Sequence, residues 1–382
     1  MKIIFGGFKD ITSLGIASFI TNAIGGVFWL YMASMLGTEK YGEISYFISI
    51  AILASTIALL GMSTTVIVYT SKGVKIQSTA YLSGIISAIT TSIILFYIFI
   101  NDVGISIYIF GFVTFTLITS NYLGQKLYSK YSKINIIQKI LLVIFAVGFY
   151  HLMGLEGIIL GIGISFILFF GIIIKSFKEM KIDYSIFRSR YKFILNSFLL
   201  DLTRASSGSV DKLIIAPLLG FALLGNYQLG IQYIALLHIV PGIVFQYTLA
   251  HDAIGNQNKS LKKIVILFSV LLAILSIIFA PIFVPILFPE FVEAVEIIQV
   301  MSLAIIPASI ITTNASKYLG RTESKIVLIG SGVYLCSQII LILILGTIWG
   351  VNGATISIVI ATTIHAFYYI IINRFFDSSK NK

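Results

Sequence analysis

Four charged residues interrupt one hydrophobic stretch of the sequence, between Phe198 and Gly220. They are, in chain order, Asp201, Arg204, Asp211 and Lys212. On a continuous helix, at about 100° per residue, the four side chains would share an arc of roughly 100°. Each charge would cost about 2.5 to 3.5 kcal/mol if it faced lipid. We therefore expect these side chains to face one another or a water-filled cavity.

Two interpretations of this polar helix face are open. In the first, the charges only pack helices together, with Asp201 paired to Arg204 and Asp211 paired to Lys212. In the second, the face lines a pathway for a polar solute, because ionisable residues inside a membrane commonly mark such pathways. The types and spacing of the residues alone do not decide between the two.

The composition places this stretch in a polytopic membrane protein. The chain has 382 residues, of which 58% are hydrophobic and 11% are charged, whereas a soluble domain carries about 25% charged residues. Hydropathy predicts twelve spans, at 11–36, 43–70, 78–100, 104–127, 134–153, 155–175, 193–219, 224–249, 262–287, 293–317, 325–347 and 351–375. The sequence thus predicts an all-α polytopic membrane protein with about 12 transmembrane helices.

The basic residues predict the orientation of these spans. Twenty-two of the 26 Lys and Arg residues fall in alternate loops, and the intervening loops hold only Lys40. Basic loops stay on the cytoplasmic side of a membrane. Both termini are therefore predicted to be cytoplasmic, and short loops with this bias suit a prokaryotic plasma membrane. The net charge of +11 is then a topology signal, and no nucleic-acid partner is expected.

The longest basic loop, at 177–192, divides the chain into two predicted six-helix lobes, at 1–176 and 193–382. Two glycine patterns recur across this division. Leu36, Gly37 and Gly42 match Leu219, Gly220 and Gly225 at an offset of 183 residues, and Gly154 and Gly157 match Gly350 and Gly353 at an offset of 196. The sequence therefore predicts two parallel repeats, as in many transporters.

The repeat adds a second polar helix to the candidate site. At the offset of 183, Ser18 aligns with Asp201, and Asn22 belongs to the same patch of the first span. A cleft bordered by spans one and seven is the simplest arrangement of these residues. We therefore take Ser18, Asn22 and the four charged residues as the candidate cavity.

Patterns typical of enzymes and metal sites are missing from the sequence. The four histidines are scattered, and no HExxH or nucleophile-elbow motif occurs. Three acids, Glu290, Glu293 and Glu296, are the best candidates for catalysis, but we interpret them as the solvated beginning of span ten, where acids stabilise a helix N-terminus. We expect no enzyme, no cofactor and no metal.

Several short motifs carry a family resemblance. They are the LGTEKYG turn, the run DKLIIAPLLGFALLGNY at 211–227, and the late YLG and WGVNGA patterns. With them the chain resembles the prokaryotic polysaccharide and O-antigen repeat-unit flippases of the multidrug/oligosaccharidyl-lipid/polysaccharide exporter superfamily. The resemblance implies two six-helix lobes, alternating access, and export of a polyprenyl-diphosphate-linked oligosaccharide for surface-glycan biosynthesis. Of the candidate residues, Asp211 and Lys212 alone match a family pattern.

The implied partners are the lipid-linked oligosaccharide, membrane lipids, a coupling H⁺ or Na⁺, and glycan-synthesis enzymes. The main alternative is a drug or metabolite cation antiporter of the same superfamily, which would also use acids within the membrane. A transporter of the major facilitator type shares the six-plus-six plan, but its usual motif between spans two and three is replaced here by TSKGVKIQS. A scaffold for glycan-synthesis enzymes is the alternative without transport.

Overall fold

The computed structural model describes residues 2–98, 102–177, 182–239, 241–242, 244, 259–320 and 323–380. Within these ranges the chain consists of helices joined by turns, without a strand. The helices are α1 Lys2–Leu59, α2 Met62–Ser71, α3 Gln77–Ile98, α4 Val103–Gly124, α5 Tyr128–Met153, α6 Leu155–Ile167, α7 Phe170–Phe177, α8 Ser185–Ser207, α9 Val210–Leu219, α10 Phe221–Leu237, α11 Lys259–Leu287, α12 Ala294–Ser302, α13 Ile305–Gly320 and α14 Ser324–Lys380. The end of predicted span eight, at 245–249, and residues 178–181 of the basic loop lie outside the described residues.

Two helices are each long enough to hold two predicted spans. Helix α1 has 58 residues and α14 has 57, whereas about 20 residues cross a bilayer. Both contain a glycine with a positive φ at the predicted outer turn, Gly37 in α1 (φ 72°) and Gly350 in α14 (φ 59°). Left-handed backbone favours glycine because it lacks a Cβ. The chain therefore turns at these two glycines, as the sequence predicts.

Other predicted spans are divided by short breaks that hydropathy does not detect. Span two breaks at Gly61 between α1 and α2, span seven at Gly208 between α8 and α9, and span ten between α12 and α13. Within the described residues, seven helices are individually long and apolar enough to cross a membrane, or eight if the bent pair α12–α13 forms one span. The protein is therefore a multi-pass membrane protein whose remaining spans are built from shorter helices.

The predicted repeat is visible in the backbone angles. Gly37 has φ 72° and ψ 179°, and its counterpart Gly220 has φ 91° and ψ 168°. In the second pattern, Gly154 has φ 71° and ψ −143°, and Gly350 has φ 59° and ψ −139°. Each glycine thus adopts the conformation of its counterpart in the other half of the chain.

The second glycine of each pattern makes equivalent close contacts. A Cβ on Gly157 would collide with the carbonyl of Phe149, and a Cβ on Gly353 would collide with the carbonyl of Leu345, which is Phe149's counterpart at the offset of 196. The structure therefore supports a genuine internal repeat rather than a chance recurrence of glycines.

The chain forms two compact units. The first contains Met1–Gly25 and Phe47–Ser209, and the second contains Gly26–Tyr46 and Val210–Lys382. The core of the second unit includes Ile215, Tyr227, Ile297 and Met301, from α9, α10 and α12. This division by packing differs from the predicted lobes at 1–176 and 193–382, because α8 packs with the first unit and Gly26–Tyr46 packs with the second. The lobe boundaries themselves stay a prediction.

Candidate functional site

Asp201 is positioned by a close approach of α8 to the break between α1 and α2. Gly61 has φ 73°, and a Cβ there would lie 2.5 Å from the carbonyl oxygen of Ile194 and from the backbone nitrogen of Phe198. The absence of a side chain at residue 61 lets α8 pack against this break. One turn further along α2, the hydroxyl of Thr64 donates a hydrogen bond to Oδ1 of Asp201, at 3.3 Å.

Arg204 lies one turn after Asp201 and is largely exposed. The distance from its Nη1 to Oδ1 of Asp201 is 4.0 Å, and 65% of the Arg204 side chain is exposed against 16% for Asp201. This is the one ion pair that Arg204 makes within the described residues. Oδ2 of Asp201 is buried and has no hydrogen-bond partner there. The distance between the two groups is therefore long for an ion pair, and most of the Arg204 side chain is not covered by the protein.

Asp211 and Lys212 form a very different pair. Both are buried, with Nζ of Lys212 at 3.2 Å from Oδ1 of Asp211. The backbone N–H of Lys212 donates to the same oxygen at 2.9 Å. The hydroxyl of Tyr227 in α10 donates to Oδ2 of Asp211 at 3.0 Å. Both carboxylate oxygens are thus satisfied by the protein, which is the geometry expected of an ion pair that packs helices together.

The four charges do not lie on one continuous helix, so the assumption of an unbroken helix across span seven is wrong. Helix α8 ends at Ser207, and α9 begins at Val210 after a tight turn in which the N–H of Gly208 donates to Ala205 and that of Ser209 to Ser206. These short bonds advance the chain by a tighter turn than an α-helix does. Asp201 and Arg204 belong to the first compact unit, and the Asp211–Lys212 pair belongs to the second.

The two neutral candidates lie on α1 in the same compact unit as Asp201. Ser18 is half-buried and Asn22 is exposed. Within the described residues, no side-chain hydrogen bond joins either of them to Asp201 or Arg204. Their place in a shared cavity therefore stays a prediction.

Sequence reasoning missed Thr64 and Tyr227, which hold the two aspartates. Thr64 belongs to none of the motifs and lies 137 positions from Asp201 in the chain. Tyr227 ends the run at 211–227 that carries the family resemblance, 16 positions after Asp211, but the pattern alone does not show that its hydroxyl bonds the carboxylate. Two of the three acids near span ten also have specific partners. Glu293 accepts from Asn226 at 3.4 Å, and Glu296 accepts from Asn352 at 3.3 Å. These acids join helices of the second unit, which the interpretation as a solvated helix start did not predict.

The site thus combines an exposed guanidinium, that of Arg204, with the carboxylate of Asp201, of which one oxygen has no hydrogen-bond partner within the described residues. A guanidinium presents five N–H donors in a planar fork that matches a phosphate or a carboxylate. Within the described residues, no group of three or more His, Cys, Asp and Glu side chains is placed to hold a metal ion.

Comparisons with known proteins concern the fold. No family model matches the sequence, and no curated protein sequence matches it significantly. Among solved structures, the lipid II flippase MurJ in an inward closed conformation has a TM-score of 0.77 at 17% identity, over 94% of this chain and 87% of that chain. A MOP superfamily transporter from Pyrococcus furiosus has a TM-score of 0.68 at 16% identity, over 98% and 96% of the two chains. A multidrug resistance MATE family transporter in an inward-facing conformation has a TM-score of 0.68 at 15% identity, over 94% and 95%.

At these identities the likeness establishes the architecture and leaves the substrate open. The predicted fold class is confirmed: an all-α polytopic membrane protein with about 12 transmembrane helices in two six-helix lobes. The finer assignment to the O-antigen flippases stays a prediction. The chain has the fold of the transporters of the multidrug/oligosaccharidyl-lipid/polysaccharide exporter superfamily.

Proposed function

We propose that this protein is a flippase that moves a polyprenyl-diphosphate-linked oligosaccharide to the outer leaflet by alternating access. The proposal places it in a prokaryotic plasma membrane with both termini in the cytoplasm. The observation that carries the proposal is Arg204, an exposed cation within predicted span seven. It lies 11 residues into that span, or about 16 Å along the helix from Phe193.

An exposed arginine at this depth needs an anionic partner. Its single ion pair is 4.0 Å long and leaves 65% of the side chain uncovered, while facing lipid would cost about 2.5 to 3.5 kcal/mol. A lipid-linked oligosaccharide offers a diphosphate of opposite charge, a polar sugar, and a tail that stays in lipid during the crossing. Arg204 would bind the phosphate through its planar fork, and Asp201 would hold Arg204 when the cavity is empty.

The accessibility of the four charges favours an anionic substrate, because both acids are more enclosed by the protein than Arg204 is. Asp201 is only 16% exposed and accepts a hydrogen bond from Thr64. Asp211 is buried and is satisfied by Lys212 and Tyr227. Arg204 is therefore the most accessible of the four charges. In the proposal Ser18 and Asn22 add neutral polar groups from the same unit, and Asp211 with Lys212 stabilises the second unit.

The fold does not choose between the two candidate functions. It is shared with a lipid II flippase, at a TM-score of 0.77, and with a MATE family transporter, at 0.68. Both classes of transporter have this architecture, so whether the substrate is anionic or cationic has to be tested directly.

The test is the distribution of radiolabelled lipid-linked oligosaccharide in a strain that lacks the gene. We expect the label to accumulate on the cytoplasmic leaflet and the surface glycan to be lost. Complementation with Arg204→Ala should lower glycan export about 10- to 100-fold, the loss expected from one charged hydrogen-bonding group, at unchanged protein abundance. Arg188→Ala is the matched control, because Arg188 is exposed in the predicted basic loop and should export normally. Normal glycan export in the deletion strain would refute the flippase.

A second candidate is a drug or metabolite cation antiporter, and Asp201 favours it. Oδ2 of Asp201 is buried without a partner within the described residues, so this oxygen is available to H⁺, Na⁺ or a cationic group. In this case Asp201→Asn should abolish resistance to cationic drugs, and deletion of the gene should leave surface glycan unchanged.

A further inference from the structure

A second cationic cluster lies at the predicted cytoplasmic edge of the first unit, around the ring of Tyr69. Cζ of Arg190 lies 4.7 Å from the centroid of this ring, and Nζ of Lys72 lies 5.6 Å from it. Tyr69 is in the last turn of α2, and its ring also meets Phe193 edge-on, with centroids 5.3 Å apart. Phe193 of α8 thus packs against the ring, and two cationic side chains lie near it.

Neither cation is neutralised by a carboxylate within the described residues. Nη1 of Arg190 donates to the carbonyl of Ile186 at 3.3 Å and to Oγ of Ser189 at 3.0 Å. These two bonds hold the guanidinium in place and leave its Nε and Nη2 donors without a partner there. Lys72 is exposed, and in the described part of the chain its Nζ makes no ion pair. Two like charges near one ring repel each other, so an anion bound to both would lower the free energy of the cluster.

The backbone at Arg190 contributes to this arrangement. Arg190 departs from helical angles inside α8, with φ −123° and ψ 15°, so the helix bends at the residue that carries the guanidinium. The loop before α8 is fixed as well, because the N–H of Asp183 donates to the hydroxyl of Thr79 at 3.0 Å. The Arg190 guanidinium is therefore held by the bend of its helix and by hydrogen bonds to residues of that helix.

The position of the cluster indicates where the anion comes from. Lys72 directly follows α2, and Arg190 precedes predicted span seven by three residues, so both lie where two spans reach the basic side. Lipid phosphates occupy this level of a bilayer, and juxtamembrane Lys and Arg attract anionic lipids. Tyrosine is also enriched at this interface. Arg190 is about 20 Å along α8 from Arg204, which makes this a separate site.

We propose that Arg190, Lys72 and Tyr69 bind the phosphate of an anionic membrane lipid. The Arg190 guanidinium donates hydrogen bonds from Nε and Nη2 to two phosphate oxygens. Lys72 supplies the second positive charge, and the Tyr69 hydroxyl donates to a third oxygen. This inference does not depend on the proposed transport function, because it concerns lipid bound at the edge of the protein, and its readout is binding.

The test is native mass spectrometry of the purified full chain with dioleoyl phosphatidylglycerol, and with dioleoylglycerol as the lipid that lacks phosphate. We expect the wild type to retain phosphatidylglycerol and not dioleoylglycerol. Arg190→Gln and Lys72→Gln should each raise the apparent Kd about tenfold, because each removes one charged contact. Tyr69→Phe should raise it less, since the ring remains.

Lys133→Gln is the control, because Lys133 is also exposed at the predicted cytoplasmic side and is not part of the cluster. If it weakens binding as much as Arg190→Gln does, general charge attraction explains the result and the proposed site is wrong. Displacement of the lipid by inorganic phosphate at equal concentration would point to a soluble anion and overturn the lipid assignment. If Arg190→Gln does not fold, the apparent Kd of Lys72→Gln, a change at an exposed position, still tests the proposed site.

Discussion

Gly42 and Phe221 are in direct backbone contact: the carbonyl oxygen of Phe221 occupies the space that a Cβ on residue 42 would need. The same relationship joins Gly225 to the carbonyl of Thr38. Phe221 and Gly225 are the counterparts of Thr38 and Gly42 at the offset of 183. A contact in which two equivalent segments meet reciprocally is self-complementary. In each copy of the pattern, the absence of a Cβ at the second glycine therefore allows the backbone of the other copy to approach closely.

The first prediction concerns this glycine contact. Gly42→Ala and Gly225→Ala should each lower the free energy of unfolding by about 1 to 3 kcal/mol, because the new methyl group meets backbone that has no free rotamer with which to yield. Thermal unfolding of the purified chain in detergent measures the loss. Gly332→Ala is the control, since no atom lies within 4 Å of a Cβ placed there. It should be neutral or slightly stabilising, as expected for Gly→Ala within a helix. Equal loss of stability in all three variants would contradict the prediction.

The second prediction concerns the buried pair in α9. Lys212→Met and Asp211→Asn should each destabilise the protein by about 3 to 5 kcal/mol, because each leaves a buried charge or its hydrogen bonds without compensation. The double variant should recover much of the loss, since a buried ion pair contributes little net stability compared with a neutral replacement. A double-mutant cycle from unfolding data measures the coupling between the two residues. Strictly additive losses would show that the pair does not act as a unit.

The third prediction separates Arg204 from that pair. Arg204→Ala should change the free energy of unfolding by less than about 1 kcal/mol, because an exposed ion pair contributes little stability. The same variant should reduce transport strongly if Arg204 binds substrate. Unfolding and transport measured on one preparation distinguish the two roles. If Arg204→Ala destabilises the chain as much as Lys212→Met does, Arg204 has a packing role instead.

The fourth prediction concerns the loop before α8. Thr79→Val keeps the shape of the side chain and removes the hydroxyl that bonds Asp183 at 3.0 Å and 3.4 Å. Loss of about 1 kcal/mol should speed hydrogen exchange at the Asp183 amide about fivefold. Mass-spectrometric exchange on the loop peptide measures this rate. Thr90→Val in the same helix is the control, because its hydroxyl donates to the carbonyl of Ile86 within that helix. Unchanged exchange in Thr79→Val would show that this bond does not fix the loop.

This loop also has a defined acid response. The side-chain and backbone hydrogen bonds from Ser185 hold the pKa of Asp183 below its usual value of 3.8. The carboxylate accepts from the N–H of Ser185 at 2.9 Å. A group whose folded pKa is lowered stabilises the fold above its ordinary pKa and loses that effect as the pH falls through the lowered value. The contact is therefore fully present at neutral pH, and the effect of Thr79→Val should not vary between pH 6 and pH 8, which exchange at both pH values, corrected for intrinsic rates, will check.

Hydropathy predicted well the spans that are simple helices. Span three was expected at 78–100 and is α3 Gln77–Ile98, and span nine was expected at 262–287 and is α11 Lys259–Leu287. The same method missed the break at Gly208, because a window of about 19 residues averages over a change in two or three backbone angles. The polar face assumed an unbroken helix across this break, and that assumption was wrong for the same reason.

The sequence by itself determined the membrane class, the alternation of basic loops and the positions of the repeated glycine turns. Each of these is carried by local composition or by residues a few positions apart. Only the tertiary structure decided which charges are enclosed. Asp211 is satisfied because Tyr227 donates to it from α10, while Arg204 stays largely exposed, with Asp201 as its one ion-pair partner among the residues that the structure describes. The burial of a residue depends on which helices pack around it, and the periodicity of its own helix does not identify those helices.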